Sequence, residues 1–208
     1  MAEGGSHVWG VDLSKPMVDD LRAQLRRMPE AVQRRITTRV GDMRRVKLGR
    51  RFPLVICPFN TALHLYTRQD VEQWLARVRE HLAPGGELVL DVSMPVLEDL
   101  CRDPGRAYHT PPFLHPTAGK VNYREHFDYD RVRQILFVSM FFEPAGKGSA
   151  RSEEFMTPLA HRQFFPQELE ALLHYNGFAI TALHGDFHGA PLGPRSDVMV
   201  VHARRRKA

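Results

Sequence analysis

Two carboxylates, Asp12 and Asp42, each follow a short apolar segment, and the two segments lie about 30 residues apart. The first segment ends in Gly10-Val11-Asp12-Leu13-Ser14 and the second in Val40-Gly41-Asp42-Met43. An acidic side chain at each of two strand ends suits a nucleoside, because one can accept hydrogen bonds from ribose hydroxyls and the other from an adenine amino group. The spacing therefore predicts a nucleoside site, and it also allows a nicotinamide dinucleotide and hence an oxidoreductase.

Strand-like and helix-like segments alternate from Val8 to Val92, and this rhythm predicts parallel strands joined by crossover helices. Ser14 is expected to cap the first helix, and Thr67 with Asp70 forms a capping-box pattern before a later one. The strands are predicted over residues 7–13, 35–40, 52–57 and 87–92, with 52–57 as a buried strand.

Beyond Met94 the pattern changes, because five prolines break residues 95–116 into an irregular connection. Antiparallel strands are predicted over 121–129, 132–143 and 151–164, with turns at Asp130-Arg131 and at Gly146-Lys147-Gly148-Ser149. Pro166 opens a helix that two final strands follow, over 178–187 and 197–203. We expect one α/β domain over 1–208, with a core of 1–93 and 166–208 and an antiparallel insertion over 94–165.

The composition is that of an ordinary globular protein. Of the 208 residues 43% are hydrophobic and 25% charged, which excludes disordered and fibrous classes. No apolar run is long enough to span a bilayer and no signal-peptide layout begins the chain, so we expect a cytoplasmic protein that does not engage membranes. The net charge of +5 owes much to Arg204-Arg205-Arg206-Lys207, a run without the aromatic residues that stack on bases. We therefore expect this run to be a solvated tail and expect no nucleic-acid partner.

Several short motifs together resemble, in order and spacing, the class I S-adenosylmethionine-dependent methyltransferases. The resemblance covers nearly the whole chain and implies a Rossmann-like sheet, with S-adenosyl-L-methionine as cofactor and a small molecule as methyl acceptor. Besides the two acidic strand ends, the motifs are Leu54-Val55-Ile56-Cys57-Pro58-Phe59-Asn60, His64-Leu65, the run from His81 to Asp91, and Tyr175-Asn176-Gly177-Phe178.

The resemblance also implies roles for residues at the strand ends. Asp12 is expected to bind the ribose hydroxyls, Leu13 to line the adenine pocket, and Asp42 with Met43 to hold the adenine. Pro58, Phe59 and Asn60 are expected to face the methionine part of the cofactor. A structural alternative stays open for both acids, since Asp12 can serve as a helix N-terminal charge and Asp42 as a turn former.

The chain departs from the family pattern at its start. Family members carry a first strand and a glycine-rich turn before the strand that ends at Asp12, whereas residues 1–5 here resemble the last turn of the helix that follows that loop. We therefore expect a reading frame that begins upstream, and a gap in the sheet that neighbouring strands or another chain, as in a homodimer, would close. For the chain as given we expect weak cofactor affinity and weak activity, poor solubility, or both. The departure also keeps open a non-catalytic, methyltransferase-like partner subunit.

Candidates for the acceptor side follow from the same resemblance. His64, shortly after the strand end at Asn60, is the first candidate for a catalytic base, with Tyr108, His109 and His161 from the insertion behind it. A packing or surface role stays open for each of them, since isolated histidines usually have structural explanations. Asp186 or His188 is expected to orient the substrate. No metal is expected, because alternate residues over 184–188 span about 13 Å in an extended strand, too far for one ion.

Overall fold

The computed structural model describes residues 1–116, 119–145 and 155–206. It begins with two parallel strands, β1 (Val8–Asp12) and β2 (Ile36–Val40), joined by helices α1 (Lys15–Leu25) and α2 (Glu30–Gln33). Ser14 caps α1 as predicted, since its hydroxyl accepts a hydrogen bond from the backbone N–H of Met17. The first crossover unit is therefore confirmed.

A second sheet holds the main core of the molecule. Its strand order is β3 (Phe52–Cys57), β4 (Leu82–Ser93), β10 (Val198–Arg205) and β9 (Phe178–His184), with β3 parallel to β4 and β10 antiparallel to both neighbours. Helices α3 (Arg68–His81) and α5 (Pro166–Tyr175) precede β4 and β9 in the chain. They contribute to a core whose fully buried members include Leu75, Leu88, Leu90, Leu173, Phe178 and Val201.

The two parallel units do not pair with each other among the described strands. β1 pairs with β2 alone and β3 with β4 alone, so each leaves one edge without a strand partner there. Leu54 and Ile56 of β3 are consequently 38% and 43% exposed, and the expectation that this strand is buried is wrong. Between the units, Trp9 packs edge-on against Phe52 with ring centroids 6.0 Å apart.

A third, antiparallel sheet comprises β5 (Tyr108–His115), β6 (Gly119–Asp130), β7 (Ile135–Pro144) and β8 (Phe155–Arg162), and a short helix, α4 (Leu97–Leu100), packs on β6. Residues 95–116, which were expected to form an irregular connection, therefore contain strand β5. Pro111 and Pro112 fit because β5 is an edge strand whose register shifts between Thr110 and Phe113. The predicted turn at 146–149 and the residues 151–154 lie outside the described residues.

Within the described ranges, no helix is long and apolar enough to cross a membrane.

Candidate functional site

The ends of β1, β2 and β3 meet at one edge of the molecule. Trp9 and Phe52, near the starts of β1 and β3, are in contact. At the opposite ends, Arg44 follows β2 and forms an ion pair with Asp70 in the first turn of α3, the helix reached from the end of β3. Side chains that follow these strands are therefore gathered at one edge, as parallel strands require.

Asp12 and Asp42 both lie at this edge, as predicted. Asp12 pairs in register with Val40, and the N–H of Gly41 donates to the Asp12 carbonyl at 2.8 Å. The Oδ1 of Asp12 accepts a hydrogen bond from the N–H of Ser14 at 2.7 Å, and no ion pair joins Asp12 to another described residue. The exposed carboxylate can therefore accept further hydrogen bonds, next to a Leu13 side chain that is 72% exposed.

Asp42 has a different environment, because Arg44 engages both of its oxygens. The closest contact, from Nη2 to Oδ2, is 2.7 Å, and Nε and the backbone N–H of Arg44 also donate to this carboxylate. These hydrogen bonds hold the pKa of Asp42 below its usual range. An adenine amino group would have to share Asp42 with the guanidinium, while Met43 packs against the main core.

The end of β3 forms an unusual turn at Phe59 and Asn60. Both residues have left-handed backbones, with φ of 59° and 60°, and a bulky residue such as phenylalanine rarely adopts this conformation. Their successive N–H groups donate to the two oxygens of Asp91, at 2.8 and 3.2 Å. Phe59, which follows Pro58, is 92% exposed at the site edge.

A cluster of His64, Tyr66 and His161 lies directly beyond this turn. His64 ends a short 3-10 helix, Thr61–His64, whose Leu63 N–H donates to the Asn60 carbonyl at 2.9 Å. The rings of His64 and His161 are 5.1 Å apart, so β8 brings two predicted acceptor-side residues together. Burial, and then the charge of His64, lowers the pKa of His161 to about 4.

The hydrogen bonds of Tyr66 define the tautomer of His64. Tyr66 donates its only hydroxyl proton to the carbonyl of Ala160 at 3.2 Å. The 3.2 Å contact between the Tyr66 oxygen and His64 Nδ1 is then one in which the imidazole donates. The Nε2 of His64 is left as the basic nitrogen, on an exposed side chain.

The other acceptor-side candidates lie apart from this cluster. Tyr108 and His109, at the start of β5, line a pocket of about 490 Å³ together with Arg102 and Arg106 from the preceding segment. Asp186 and His188 lie in the loop after β9, where Asp186 accepts hydrogen bonds from two backbone N–H groups of its own turn. The described residues contain no group of three or more side chains arranged to hold a metal ion.

Sequence reasoning missed three residues of this edge: Arg44, Tyr66 and Asp91. Only Asp91 left a signal, as an acid within the apolar run from Leu88 to Val92. Arg44 and Tyr66 are ordinary surface residue types, and only their tertiary contacts distinguish them.

Comparison with known proteins identifies the fold. Residues 1–86 match a family model described as "Methyltransferase domain". The structure superimposes on the CcbJ methyltransferase from Streptomyces caelestis with a TM-score of 0.83 and 24% identity, over 99% of this chain and 77% of that chain. The chain has the fold of a class I methyltransferase, and its residues 1–86 match the sequence model of a methyltransferase domain. The predicted resemblance is therefore confirmed.

Further methyltransferases match with a lower TM-score or over less of the chain. The glycopeptide N-methyltransferase MtfA, solved with S-adenosyl-L-methionine, gives a TM-score of 0.66 and 23% identity over 99% of this chain and 75% of that one. The dTDP-3-amino-3,4,6-trideoxy-alpha-D-glucopyranose N,N-dimethyltransferase of Streptomyces venezuelae is 35% identical over 82 residues, 39% of this chain and 31% of that protein. The chain's match thus spans about a third of the length of this curated relative. None of these names supports the oxidoreductase or the non-catalytic alternative.

Proposed function

We propose that the protein binds S-adenosyl-L-methionine at the strand-end edge and methylates a small-molecule amine, with amino sugars as the favoured class. The observation that carries the proposal is the paired imidazoles of His64 and His161 directly beyond the Phe59–Asn60 turn. The naming of a curated relative as an amino-sugar N,N-dimethyltransferase supports the choice of acceptor.

The residues present at the edge fit this cofactor. Asp12 offers a carboxylate free of ion pairs within the described residues, which suits the ribose hydroxyls, and the exposed Leu13 suits the adenine face. Asp42 and Met43 lie beside them for the adenine amino group. Pro58, Phe59 and Asn60 would border the methionine part.

The amide of Asn60 has a defined orientation. Its Oδ1 accepts hydrogen bonds from the N–H and the hydroxyl of Ser93, at 2.6 and 3.1 Å. The Nδ2 group must therefore point the other way, where it can donate to a ligand. A carboxylate or carbonyl oxygen is the partner that such a donor would bind.

Methyl transfer to an amine requires that the acceptor nitrogen is unprotonated. S-adenosyl-L-methionine, when bound, would supply an electrophilic methyl group for the lone pair of the acceptor nitrogen and would leave as S-adenosylhomocysteine. A protonated acceptor amine would first have to lose a proton, which His64 Nε2 would accept, while the hydrogen bond to Tyr66 fixes the ring. His161 lies beside it as a neutral imidazole at physiological pH, since its pKa is about 4.

The remaining acceptor-side assignments belong to the same proposal. Tyr108 and His109 would contact the acceptor from the insertion, and Asp186 or His188 from the loop after β9. A cytoplasmic location and a homodimer stay predictions, which cell fractionation and light scattering would test.

Titration calorimetry with S-adenosylhomocysteine tests the cofactor site. Asp12→Asn keeps an oxygen for the Ser14 N–H but loses the charge, so we expect roughly 10- to 100-fold weaker binding, as for a lost hydrogen bond to a charged group. Asp20→Asn on α1 serves as the matched control. A well-folded wild-type protein that gives no heat would overturn the proposal, and release of S-adenosylhomocysteine with amino sugars but not their hydroxyl analogues would support the acceptor class.

A further inference from the structure

The turn that ends β3 is held in place by β4, the neighbouring strand. Asp91 is 8% exposed, and it is the only acidic residue among the buried ones that the structure describes. Its two oxygens accept the backbone N–H groups of Phe59 and Asn60 separately, at 2.8 and 3.2 Å. Two residues further along β4, Ser93 binds the side chain of Asn60.

These contacts compensate for an unfavourable backbone. Two consecutive non-glycine residues with φ near 60° persist only where their surroundings hold them. Successive N–H groups in such a turn form a concavity that binds an anion, and here the carboxylate of Asp91 fills it. Without this carboxylate the turn would lose the partner of both N–H groups.

The turn determines how the side chains of Phe59 and Asn60 are oriented at the site. The left-handed backbone directs the Phe59 ring into solvent, where it is 92% exposed, and the Ser93 contacts leave the Asn60 Nδ2 group free to donate. Neither Asp91 nor Ser93 needs to touch a ligand for this. They act through Phe59 and Asn60.

We propose that Asp91 is a positioning residue, whose buried carboxylate presents Phe59 and Asn60 to the methionine part of the cofactor. This inference rests on the proposed function, since it assumes that the edge binds S-adenosyl-L-methionine. It adds a residue on a neighbouring strand that neither contacts the cofactor nor takes part in proton transfer.

Asp91→Asn is the variant that tests the proposal. The amide offers one acceptor oxygen, and its NH₂ group faces the second backbone N–H, so the turn loses one of its two hydrogen bonds. Amide hydrogen exchange followed by NMR should show at least tenfold faster exchange at Phe59 and Asn60, with β10 unchanged. Calorimetry on the same folded sample should show at least tenfold weaker binding of S-adenosylhomocysteine.

Asp197→Asn is the matched control, because Asp197 is exposed at the same end of the sheet and its backbone carbonyl accepts the Met94 N–H. It should leave both measurements unchanged. If the wild type binds S-adenosylhomocysteine and Asp91→Asn binds it equally well, the positioning role is wrong while the proposed function stands. If the wild type does not bind, the proposed function fails, and the exchange data alone then report whether Asp91 holds the turn.

Discussion

At the scale of single residues, the site depends on imidazoles in unequal environments. His64 is exposed and oriented by Tyr66, whereas His161 is partly buried and kept neutral at physiological pH. An oriented, exposed imidazole can exchange protons with solvent, while a buried neutral one adds no positive charge to its surroundings. We expect different consequences when each is replaced.

Replacing His64 should impair turnover without impairing cofactor binding. For His64→Gln we expect kcat to fall by roughly 10²- to 10⁴-fold, the usual contribution of a general base, while the Kd for S-adenosylhomocysteine stays unchanged. His7→Gln, an exposed histidine before β1, is the control. Unchanged turnover in His64→Gln would show that the acceptor loses its proton to another group or to water.

His161 should make the stability of the fold depend on pH. Its pKa is about 4 in the folded protein and near 6.5 when unfolded, so between these values the unfolded chain binds the proton that the folded one rejects. The free energy of unfolding should therefore decrease as pH falls from about 6.5 to about 4. Urea unfolding of His161→Gln should show a shallower decrease over this window, and an equal slope in both proteins would contradict the assignment.

At the level of helices and strands, sequence patterns correctly predicted features whose hydrogen-bond partners lie close together in the chain. The capping box before α3 is present, with Thr67 Oγ accepting the Asp70 N–H and Asp70 accepting the Thr67 N–H, both at 3.0 Å. Both partners lie three residues apart in sequence, so no tertiary information is needed to predict them. The predicted burial of β3 was wrong, because the burial of this strand depends on which strand lies beside it. No local sequence pattern specifies that neighbour.

The N-terminal cap of α3 should contribute more to the free energy of unfolding than the cap of α1. Thr67→Ala is expected to lower the free energy of unfolding by about 1 kcal/mol, because α3 loses a cap and supplies buried residues to the main core. Ser14→Ala should cost less, since its hydrogen bond to Met17 is 3.4 Å long and α1 buries only Val18. Denaturant unfolding of both variants measures the difference in the free energy of unfolding. An equal decrease in the two variants would mean that the packing of α3 against the core does not increase the contribution of its cap.

At the scale of the whole molecule, the β1–β2 unit is joined to the main sheet by side chains instead of by a strand ladder. Arg44 bridges Asp42 at the end of β2 and Asp70 at the start of α3. Trp9 and Phe52 make a second contact at the opposite end of the strands. Side-chain contacts such as these therefore help to set the position of the β1–β2 unit relative to the main sheet.

Removing the bridge should loosen the N-terminal unit selectively. For Arg44→Gln we expect amide exchange in β1 and β2 to accelerate roughly fivefold, as for a partly exposed ion-pair network worth about 1 kcal/mol, with β4 and β10 unaffected. Arg34→Gln breaks an ion pair with Glu30 inside the same unit and is the control. Faster exchange throughout the molecule would show that the two units unfold together.

Local patterns in the sequence were sufficient to predict most of the strands and helices, the methyltransferase resemblance and the placement of Asp12 and Asp42 at strand ends. Helical and strand periodicity, caps and turn residues act over a few positions, so each can be recognised locally. The same reasoning missed β5, because prolines that normally break a strand are tolerated at the edge of a sheet.

The residues that surround these strand ends come from distant parts of the chain. Asp91 meets Phe59 across 32 positions, Arg44 meets Asp70 across 26, and His161 meets His64 from the insertion. Such contacts depend on which strands become neighbours and on which face each side chain emerges, and neither is set by adjacent residues. The partners that orient the site therefore became visible only once the strands were assembled.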